Sequence, residues 1–176
     1  MDFYTLKICG LTRELPIVAI NPKIKIASFN LLGDGELVEI IADKLVDKIK
    51  TFDFDYLIGP EVKVVPLLQS LAIKLNKPRF VILRKNIMGY MTNPIYSQNK
   101  NRLILNGPDA NLIKNKKVFI IDDVVSTGQT IQSIIETIDL TQAEVVGTAA
   151  VLKQGEEPVL INCPFKYLQK LPIFTP

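Results

Sequence analysis

The residues best suited to chemistry lie in one short stretch, VFIIDDVVSTGQT, which runs from Val118 to Thr130. Two adjacent acids, Asp122 and Asp123, follow an apolar run typical of a buried strand. A turn rich in hydroxyl groups comes two residues later. Gly128 permits a tight backbone path that directs several N–H groups at one anion, and a helix beginning there adds its positive end. The turn is therefore a candidate phosphate cradle made of Ser126, Thr127, Gly128, Gln129 and Thr130.

Two acids beside such a cradle would repel a bare phosphate. They are better suited to accept hydrogen bonds from sugar hydroxyls or to hold a hydrated magnesium ion. A ribose phosphate satisfies both requirements, because its hydroxyls meet Asp122 and Asp123 while its phosphate meets the turn. The stretch therefore predicts a site for a phosphorylated sugar.

The chain contains no histidine. This excludes Ser–His and Cys–His nucleophile pairs, histidine general bases and nearly all common catalytic zinc sites. Cys9 and Cys163 are isolated in the sequence, and we assign them no chemistry. Any reaction must therefore depend on carboxylates, Lys, Arg, backbone amides and an oxygen-bound metal.

The elements that position these groups follow from hydrophobic periodicity. The spacing of Leu37, Ile41, Leu45 and Ile49 predicts an amphipathic helix, and similar patterns follow the Gly59-Pro60 break and Gly128. Apolar runs predict strands at 55–59, 79–85, 103–106, 116–121 and 144–152. The alternation predicts an α/β fold, an open and mainly parallel sheet with helices on both faces. In such a sheet ligands bind at the carboxyl ends of the strands, where Asp122 and Asp123 lie.

Other segments do not follow this alternation. Residues 1–33 and 156–176 are strand-like and punctuated by proline, and we predict that they fold together as a small cap over one edge of the sheet. Residues 107–109, Gly-Pro-Asp, indicate a turn. The polar, Asn-rich stretch 86–101 is predicted to be a long mobile loop, and loops of that length commonly act as lids.

The overall composition is that of a single soluble globular domain. The chain has 176 residues, enough for one domain, with 48% hydrophobic and 22% charged residues. Its apolar runs are shorter than the roughly 20 residues of a membrane span, and its start does not resemble a secretory signal. We therefore expect a cytoplasmic protein of one domain, 1–176, without membrane partners. The net charge of +3 is too small to indicate a nucleic-acid surface.

The stretch from Val118 to Thr130 resembles the signature with which type I phosphoribosyltransferases bind phosphoribosyl pyrophosphate (PRPP). That signature has four apolar residues, two acids, two apolar residues and a small-Thr-Gly-x-Thr loop. The resemblance implies that Asp122 and Asp123 face the ribose hydroxyls and that the loop of Ser126 to Thr130 binds the 5′-phosphate.

A second segment, IGPEVKVVPLLQSLA at 58–72, is similar to the pyrophosphate loop of the adenine branch of this family. The resemblance implies that Glu61, Val62 and Lys63 surround the pyrophosphate, with Lys63 at the basic position. A fixed cation is chemically reasonable there, because the leaving pyrophosphate gains negative charge.

A third segment, LRKNIMGYM at 83–91, resembles the start of the family's flexible catalytic loop. The resemblance implies that Arg84 contacts pyrophosphate and that Lys85 reaches it when the loop closes. Both ends of the chain, 15–40 and 167–174, also resemble adenine-type members, in which the first of these segments forms a hood over the base. This weaker similarity places Phe29 near the base, with Val124 as the opposite apolar wall.

The resemblance implies a purine phosphoribosyltransferase, most closely an adenine enzyme, which is a homodimer and uses Mg²⁺ carried by PRPP, with Asp122 and Asp123 as its possible protein contacts. Asp122, Asp123, Lys63 and Arg84 would stabilise the charges of an oxocarbenium-like transition state without a protein nucleophile. One alternative is an enzyme for another base, namely xanthine, hypoxanthine/guanine or orotate. Another is a PRPP-binding regulator without catalysis, because Val64 and Gln129 differ from the adenine pattern and 86–105 contains no glutamate.

Overall fold

The computed structural model describes residues 2–99 and 102–175. Its strands are β1 (Phe3–Ile8), β2 (Leu11–Asn21), β3 (Ile24–Ala27), β4 (Tyr56–Pro60), β5 (Phe80–Leu83), β6 (Ile95–Tyr96), β7 (Ile104–Leu105), β8 (Lys117–Val125), β9 (Glu144–Gln154), β10 (Phe165–Leu171) and β11 (Ile173–Phe174). Its helices are α1 (Gly35–Ile49), α2 (Val65–Lys74), α3 (Gly107–Ile113) and α4 (Gln129–Asp139).

The main sheet has five strands in the order β10-β9-β8-β4-β5, and each neighbouring pair is parallel. Side chains alternate between its faces, so that in β8 Phe119 and Ile121 join one buried cluster while Val118 and Ile120 join the other. Helices α1 and α2 contribute to the first cluster, and α3 and α4 to the second. The predicted α/β fold is confirmed, and a parallel sheet buried on both faces explains the continuous apolar run of β8.

The helix predicted around Leu37 to Ile49 is confirmed as α1. It begins after Asp34, whose carboxylate accepts a hydrogen bond from the backbone N–H of Leu37 at 3.1 Å. Arg13 of β2 forms an ion pair with the same carboxylate at 2.6 Å. The start of α1 is thus connected to the N-terminal strands.

The prediction of a turn at 107–109 was wrong, because these residues form the first turn of α3. Proline is tolerated there, since its missing N–H has no intrahelical partner in the first turn of any helix. Gly107 is required by packing, because a Cβ at this position would lie 2.4 Å from the carbonyl oxygen of Thr92.

The two chain ends meet in a second sheet, the terminal sheet, with strand order β1-β2-β3-β11 and antiparallel pairing. The boundary predicted for the C-terminal part of the cap needs correction. Most of the strand-forming part of 156–176 is β10, which pairs in parallel with β9, from Phe165 opposite Thr148 to Leu171 opposite Gln154. The open edge of β9 gives β10 a hydrogen-bonding partner in the main sheet. Only β11 therefore joins the terminal sheet.

Part of the stretch 86–101, predicted as a loop, forms a short strand. Its strand β6 pairs antiparallel with β7, and Thr92 accepts a hydrogen bond from the N–H of Gly107 at 3.0 Å. Its last two residues, Lys100 and Asn101, lie outside the described residues. Residues 86–94 contain neither helix nor strand, and their mobility stays a prediction. Among the described helices, none combines the length and apolar character needed to span a bilayer.

Candidate active site

The two adjacent acids lie at the carboxyl end of β8, the central strand of the main sheet. Asp122 is almost fully buried and stands opposite Ala150 of β9, whereas Asp123 is half-buried. The backbone N–H of Asp123 donates to Oδ1 of Asp122 at 2.8 Å. Burial raises the pKa of Asp122 well above its usual range and the neighbouring Asp123 raises it further, while Lys63 acts in the opposite direction. A cation or hydroxyl donor placed here would offset the burial and the mutual repulsion of the two carboxylates and so favour their ionised forms.

The turn after β8 forms a small cavity of about 160 Å³ at the start of α4. Gly128 has the left-handed backbone conformation, with φ of 91°, and α4 starts at the next residue. Within the residues that the structure describes, no side chain caps this helix start. The first backbone N–H groups of α4 are thus available to an anion. The cavity is lined by Asp122, Val124, Val125, Ser126, Thr127, Gly128, Gln129, Thr130 and Ile131.

The larger cleft beside it has a volume of about 470 Å³ and joins two distant parts of the sequence. The acids at the end of β8 form one wall, and the loop after β4 forms the other. The cleft is lined by Pro60, Glu61, Val62, Lys63, Val64, Lys85, Asp122, Asp123, Val124 and Thr130. Most of the residues predicted for the ribose and pyrophosphate therefore meet in one cleft, although they come from separate segments.

The predicted cations Lys63 and Arg84 are engaged with the protein itself, and of the two only Lys63 lines the cleft. The ammonium of Lys63 donates to the backbone carbonyl of Phe29 at 3.1 Å. Arg84 forms an ion pair with Glu61 at 2.9 Å, and the backbone N–H of Lys85 donates to the other Glu61 oxygen at 2.8 Å. A ligand that binds Lys63 or Arg84 can use their remaining N–H donors or replace these partners.

The two residues predicted for the base are placed differently. Val124 lines both the main cleft and the phosphate cavity. Phe29 is buried and borders a separate cavity of about 390 Å³, with Arg13 and Asp34 in its wall. The link between Phe29 and the main cleft is the hydrogen bond from Lys63 to its carbonyl oxygen.

Several residues around the site are not among the predicted site residues. Pro60 and Val64 line the main cleft, and a neighbouring cavity of about 360 Å³ shares Pro60, Lys85 and Thr130 with it. Arg102 and Ser133 also line that second cavity. Two features of the sequence could have identified them. Arg102 comes directly after the predicted loop, and Ser133 lies one helical turn after Gln129.

Magnesium suits the oxygen donors of this site. Mg²⁺ is usually held by one or two carboxylates together with phosphate groups and water. Asp122 and Asp123 provide two carboxylates on the wall of the cleft. Across residues 2–99 and 102–175, no group of three or more potential protein ligands lies close enough to hold an ion.

The matches to known proteins agree with this geometry. The family model described as "Phosphoribosyl transferase domain" matches residues 30–174. The chain therefore belongs to the phosphoribosyltransferase family, and it is an enzyme of the pentosyltransferase class. Its fold is that of the type I members, as predicted.

Its relatives within that family include purine enzymes of two kinds. An adenine phosphoribosyltransferase from Mycoplasma mycoides is 31% identical over 128 residues, 69% of this chain and 72% of the relative. A hypoxanthine/guanine phosphoribosyltransferase from Methanotorris igneus is 28% identical over 168 residues, 90% and 85% of the two chains. A crystal structure of adenine phosphoribosyltransferase from Thermoanaerobacter pseudethanolicus shares the fold, with a TM-score of 0.74, 20% identity, and coverage of 89% of this chain and 95% of that one.

Proposed function

We propose that the protein transfers the 5-phosphoribosyl group of PRPP to a purine base, with adenine as the preferred acceptor and pyrophosphate as the leaving group. The observation that supports this most is the single cleft in which Asp122 and Asp123 face the pyrophosphate-loop residues Glu61 to Lys63, with the phosphate cavity at its side. These groups match the ribose, pyrophosphate and 5′-phosphate of one PRPP molecule.

In this proposal the 5′-phosphate binds the turn of Ser126 to Thr130, where backbone N–H groups and the start of α4 provide the donors. The ribose hydroxyls donate hydrogen bonds to Asp122 and Asp123. As the bond between C1′ and the pyrophosphate oxygen breaks, the sugar gains positive charge, which the two carboxylates stabilise. Pyrophosphate keeps the bonding electron pair, while a nitrogen of the base bonds to C1′ and releases its proton to solvent.

Lys63 and Arg84 neutralise the negative charge that develops on pyrophosphate. They reach the phosphate oxygens with their remaining N–H donors or in place of the carbonyl of Phe29 and the carboxylate of Glu61. When bound, Mg²⁺ would supply further charge neutralisation, with Asp122 and Asp123 as its protein contacts. This arrangement needs no protein nucleophile, in keeping with a chain that lacks histidine.

The preference for adenine is supported by the adenine relative, which at 31% has the higher identity of the two. The opposing observation is coverage, because the hypoxanthine/guanine relative matches 90% of the chain. Hypoxanthine/guanine is therefore the second candidate. In either case Val124 would be one apolar wall of the base site, while Phe29 would act on that site through its carbonyl contact with Lys63.

The proposal is tested by incubating purified protein with labelled PRPP, Mg²⁺ and, in separate reactions, adenine, guanine, hypoxanthine, xanthine and orotate. Nucleotide is expected from adenine at the highest rate. A higher rate with hypoxanthine or guanine would replace the adenine assignment with the second candidate. Tight Mg²⁺-dependent binding of PRPP without product from any of the five bases would overturn the catalytic proposal in favour of a regulator.

Lys63→Ala adds an independent criterion. A cation that binds the leaving group more strongly in the transition state should, when removed, lower turnover more than it weakens PRPP binding. Lys63→Arg keeps the charge and should recover part of the turnover. Equal losses of turnover and affinity in Lys63→Ala would contradict a role for Lys63 in the reaction step.

A further inference from the structure

The phosphate turn is held from outside by a segment that the proposed reaction does not use. This segment, residues 159–161 between β9 and β10, is here called the clasp. The backbone N–H of Leu160 donates to the carbonyl oxygen of Thr127 at 3.2 Å. On either side of Leu160, Val159 and Ile161 approach Gly128 so closely that a Cβ at Gly128 would lie 2.9 Å from Val159 and 3.0 Å from Ile161.

The three side chains of the clasp differ in their burial. Val159 and Ile161 are partly buried and pack against the hydrophobic cluster that contains Ile131 of α4. The side chain of Leu160, by contrast, is 76% exposed. Leu160 therefore contributes to the phosphate turn mainly through its backbone N–H group, whereas its neighbours contribute packing.

The chain on both sides of the clasp is fixed to the main sheet. Before it, the N–H of Gly155 donates to the carbonyl of Leu171 at 2.9 Å. After it, the carbonyl of Pro164 accepts from the backbone N–H of the buried Thr148 at 2.8 Å. Because the segment is anchored at both ends, it can restrain the turn rather than move with it.

We propose that the clasp is a positioning element for the 5′-phosphate, and that the N–H of Leu160 and the side chains of Val159 and Ile161 hold the backbone of Thr127 and Gly128 in its binding geometry. Donors that already point at the phosphate do not need to be ordered when the ligand arrives, so a fixed turn raises affinity. The inference rests on the proposed function for the identity of the ligand. It predicts that damage to the clasp weakens binding at the 5′-phosphate and leaves binding at the pyrophosphate wall unchanged.

The test compares Leu160→Pro, which removes the N–H donor, with Leu160→Ala, which keeps it. Because the Leu160 side chain is mostly exposed, Leu160→Ala is a matched control for its loss. Calorimetry would measure binding of ribose 5-phosphate and, separately, of pyrophosphate with Mg²⁺. Loss of one hydrogen bond should weaken ribose 5-phosphate binding by about two- to tenfold in Leu160→Pro. Leu160→Ala should bind both ligands like the wild type.

Steady-state kinetics provides a second readout. A clasp that acts on the ground state and the transition state alike should raise KM for PRPP in Leu160→Pro while kcat stays close to its wild-type value. If Leu160→Pro does not fold, Val159→Ala takes its place, because it removes a methyl contact with Gly128 and keeps every backbone donor. The same selective loss of ribose 5-phosphate binding is expected.

Unchanged ribose 5-phosphate binding, or an equal loss for ribose 5-phosphate and pyrophosphate, would overturn the proposal, the latter because a general loss of structure affects both ligands. The outcome is separate from that of the product assay. If the clasp variants lose ribose 5-phosphate binding selectively and the wild type forms no nucleotide, the proposed reaction is refuted while the role of the clasp is supported.

Discussion

In the proposed binding mode one end of the cleft receives the 5′-phosphate and the other the pyrophosphate, and these two ends are built differently. At the phosphate end, the groups offered to the ligand are backbone donors in the turn of Ser126 to Thr130, fixed between β8, α4 and the clasp. At the pyrophosphate end, the groups are the side chains of Lys63 and Arg84, and both have partners in the protein. One end, the fixed end, is thus set before the ligand arrives, while at the other, the adjustable end, the side chains also hold contacts within the protein.

A site built in this way would let a small domain bind one substrate firmly and still release its leaving group. Fixed backbone donors cost little to order on binding and suit the 5′-phosphate, which is present in substrate and product alike. Partly exposed ion pairs are weak, typically about 0.2–1 kcal/mol, so the pair of Arg84 and Glu61 can open and re-form in each cycle. Re-formation of that pair would compete with pyrophosphate and favour its release.

The largest expected effect is that of Gly128→Val at the fixed end. A β-branched residue with φ of 91° destabilises the native conformation of the turn by about 1–2 kcal/mol. Its contact with Val159 and Ile161 adds about 1–3 kcal/mol to this destabilisation. We expect ribose 5-phosphate binding to weaken about a hundredfold, as measured by calorimetry, with little change for pyrophosphate. Gly10→Val is the control, because φ there is 86° but no described atom lies within 4 Å of the added Cβ. Normal ribose 5-phosphate binding in folded Gly128→Val would place the phosphate elsewhere.

Asp123→Asn tests the region between the two ends, and turnover should fall at least tenfold. Loss of one charge-assisted hydrogen bond is worth about 1.5–3 kcal/mol, and the variant should keep the fold because Asp123 is only half-buried. Asp139→Asn removes a carboxylate from the exposed far end of α4 and should leave turnover unchanged. Wild-type rates in Asp123→Asn would remove that carboxylate from the proposed mechanism.

Hydrogen exchange tests whether the adjustable end closes over its ligand. Residues 86–93 include the exposed side chains of Ile87 and Tyr90 and contain no helix or strand. Their amides should exchange more slowly when PRPP and Mg²⁺ are added. The paired strands β6 and β7 serve as an internal reference, since their exchange should change much less. Full protection of 86–93 in the free protein would contradict the idea of a closing lid.

The smallest expected effect is a gain in affinity for pyrophosphate. Glu61→Gln removes the charge that holds Arg84 but keeps an acceptor for the N–H of Lys85, so pyrophosphate should bind up to about fivefold more tightly, in line with a pair worth about 0.2–1 kcal/mol. Asp47→Asn, which breaks the exposed pair with Lys50, is the control and should change nothing. Weaker pyrophosphate binding in Glu61→Gln would show that Glu61 itself supports the ligand, as it would by contacting Mg²⁺.

The fold class and the place of the two acids and of the Gly128 turn in that fold could be predicted from the sequence. The alternating faces of β8 and the period of α1 and α4 are local patterns, and a parallel sheet collects the carboxyl ends of its strands at one edge wherever those patterns occur. The motif from Val118 to Thr130 is contiguous, so its geometry follows from one strand, one turn and one helix start. For the same reason the acids and the turn could be assigned from the order of the residues alone.

What surrounds that motif depends on the tertiary structure. The clasp lies about thirty residues after Gly128 in the chain, and the partners of Lys63 and Arg84 belong to other segments. The assignment of Phe165–Leu171 to the main sheet depended on the free edge of β9, and the helical state of residues 107–109 on the packing of Gly107 against Thr92. Contacts of this kind join residues that are distant in sequence, and no local periodicity encodes which open edge or which carbonyl a side chain will meet when the chain folds.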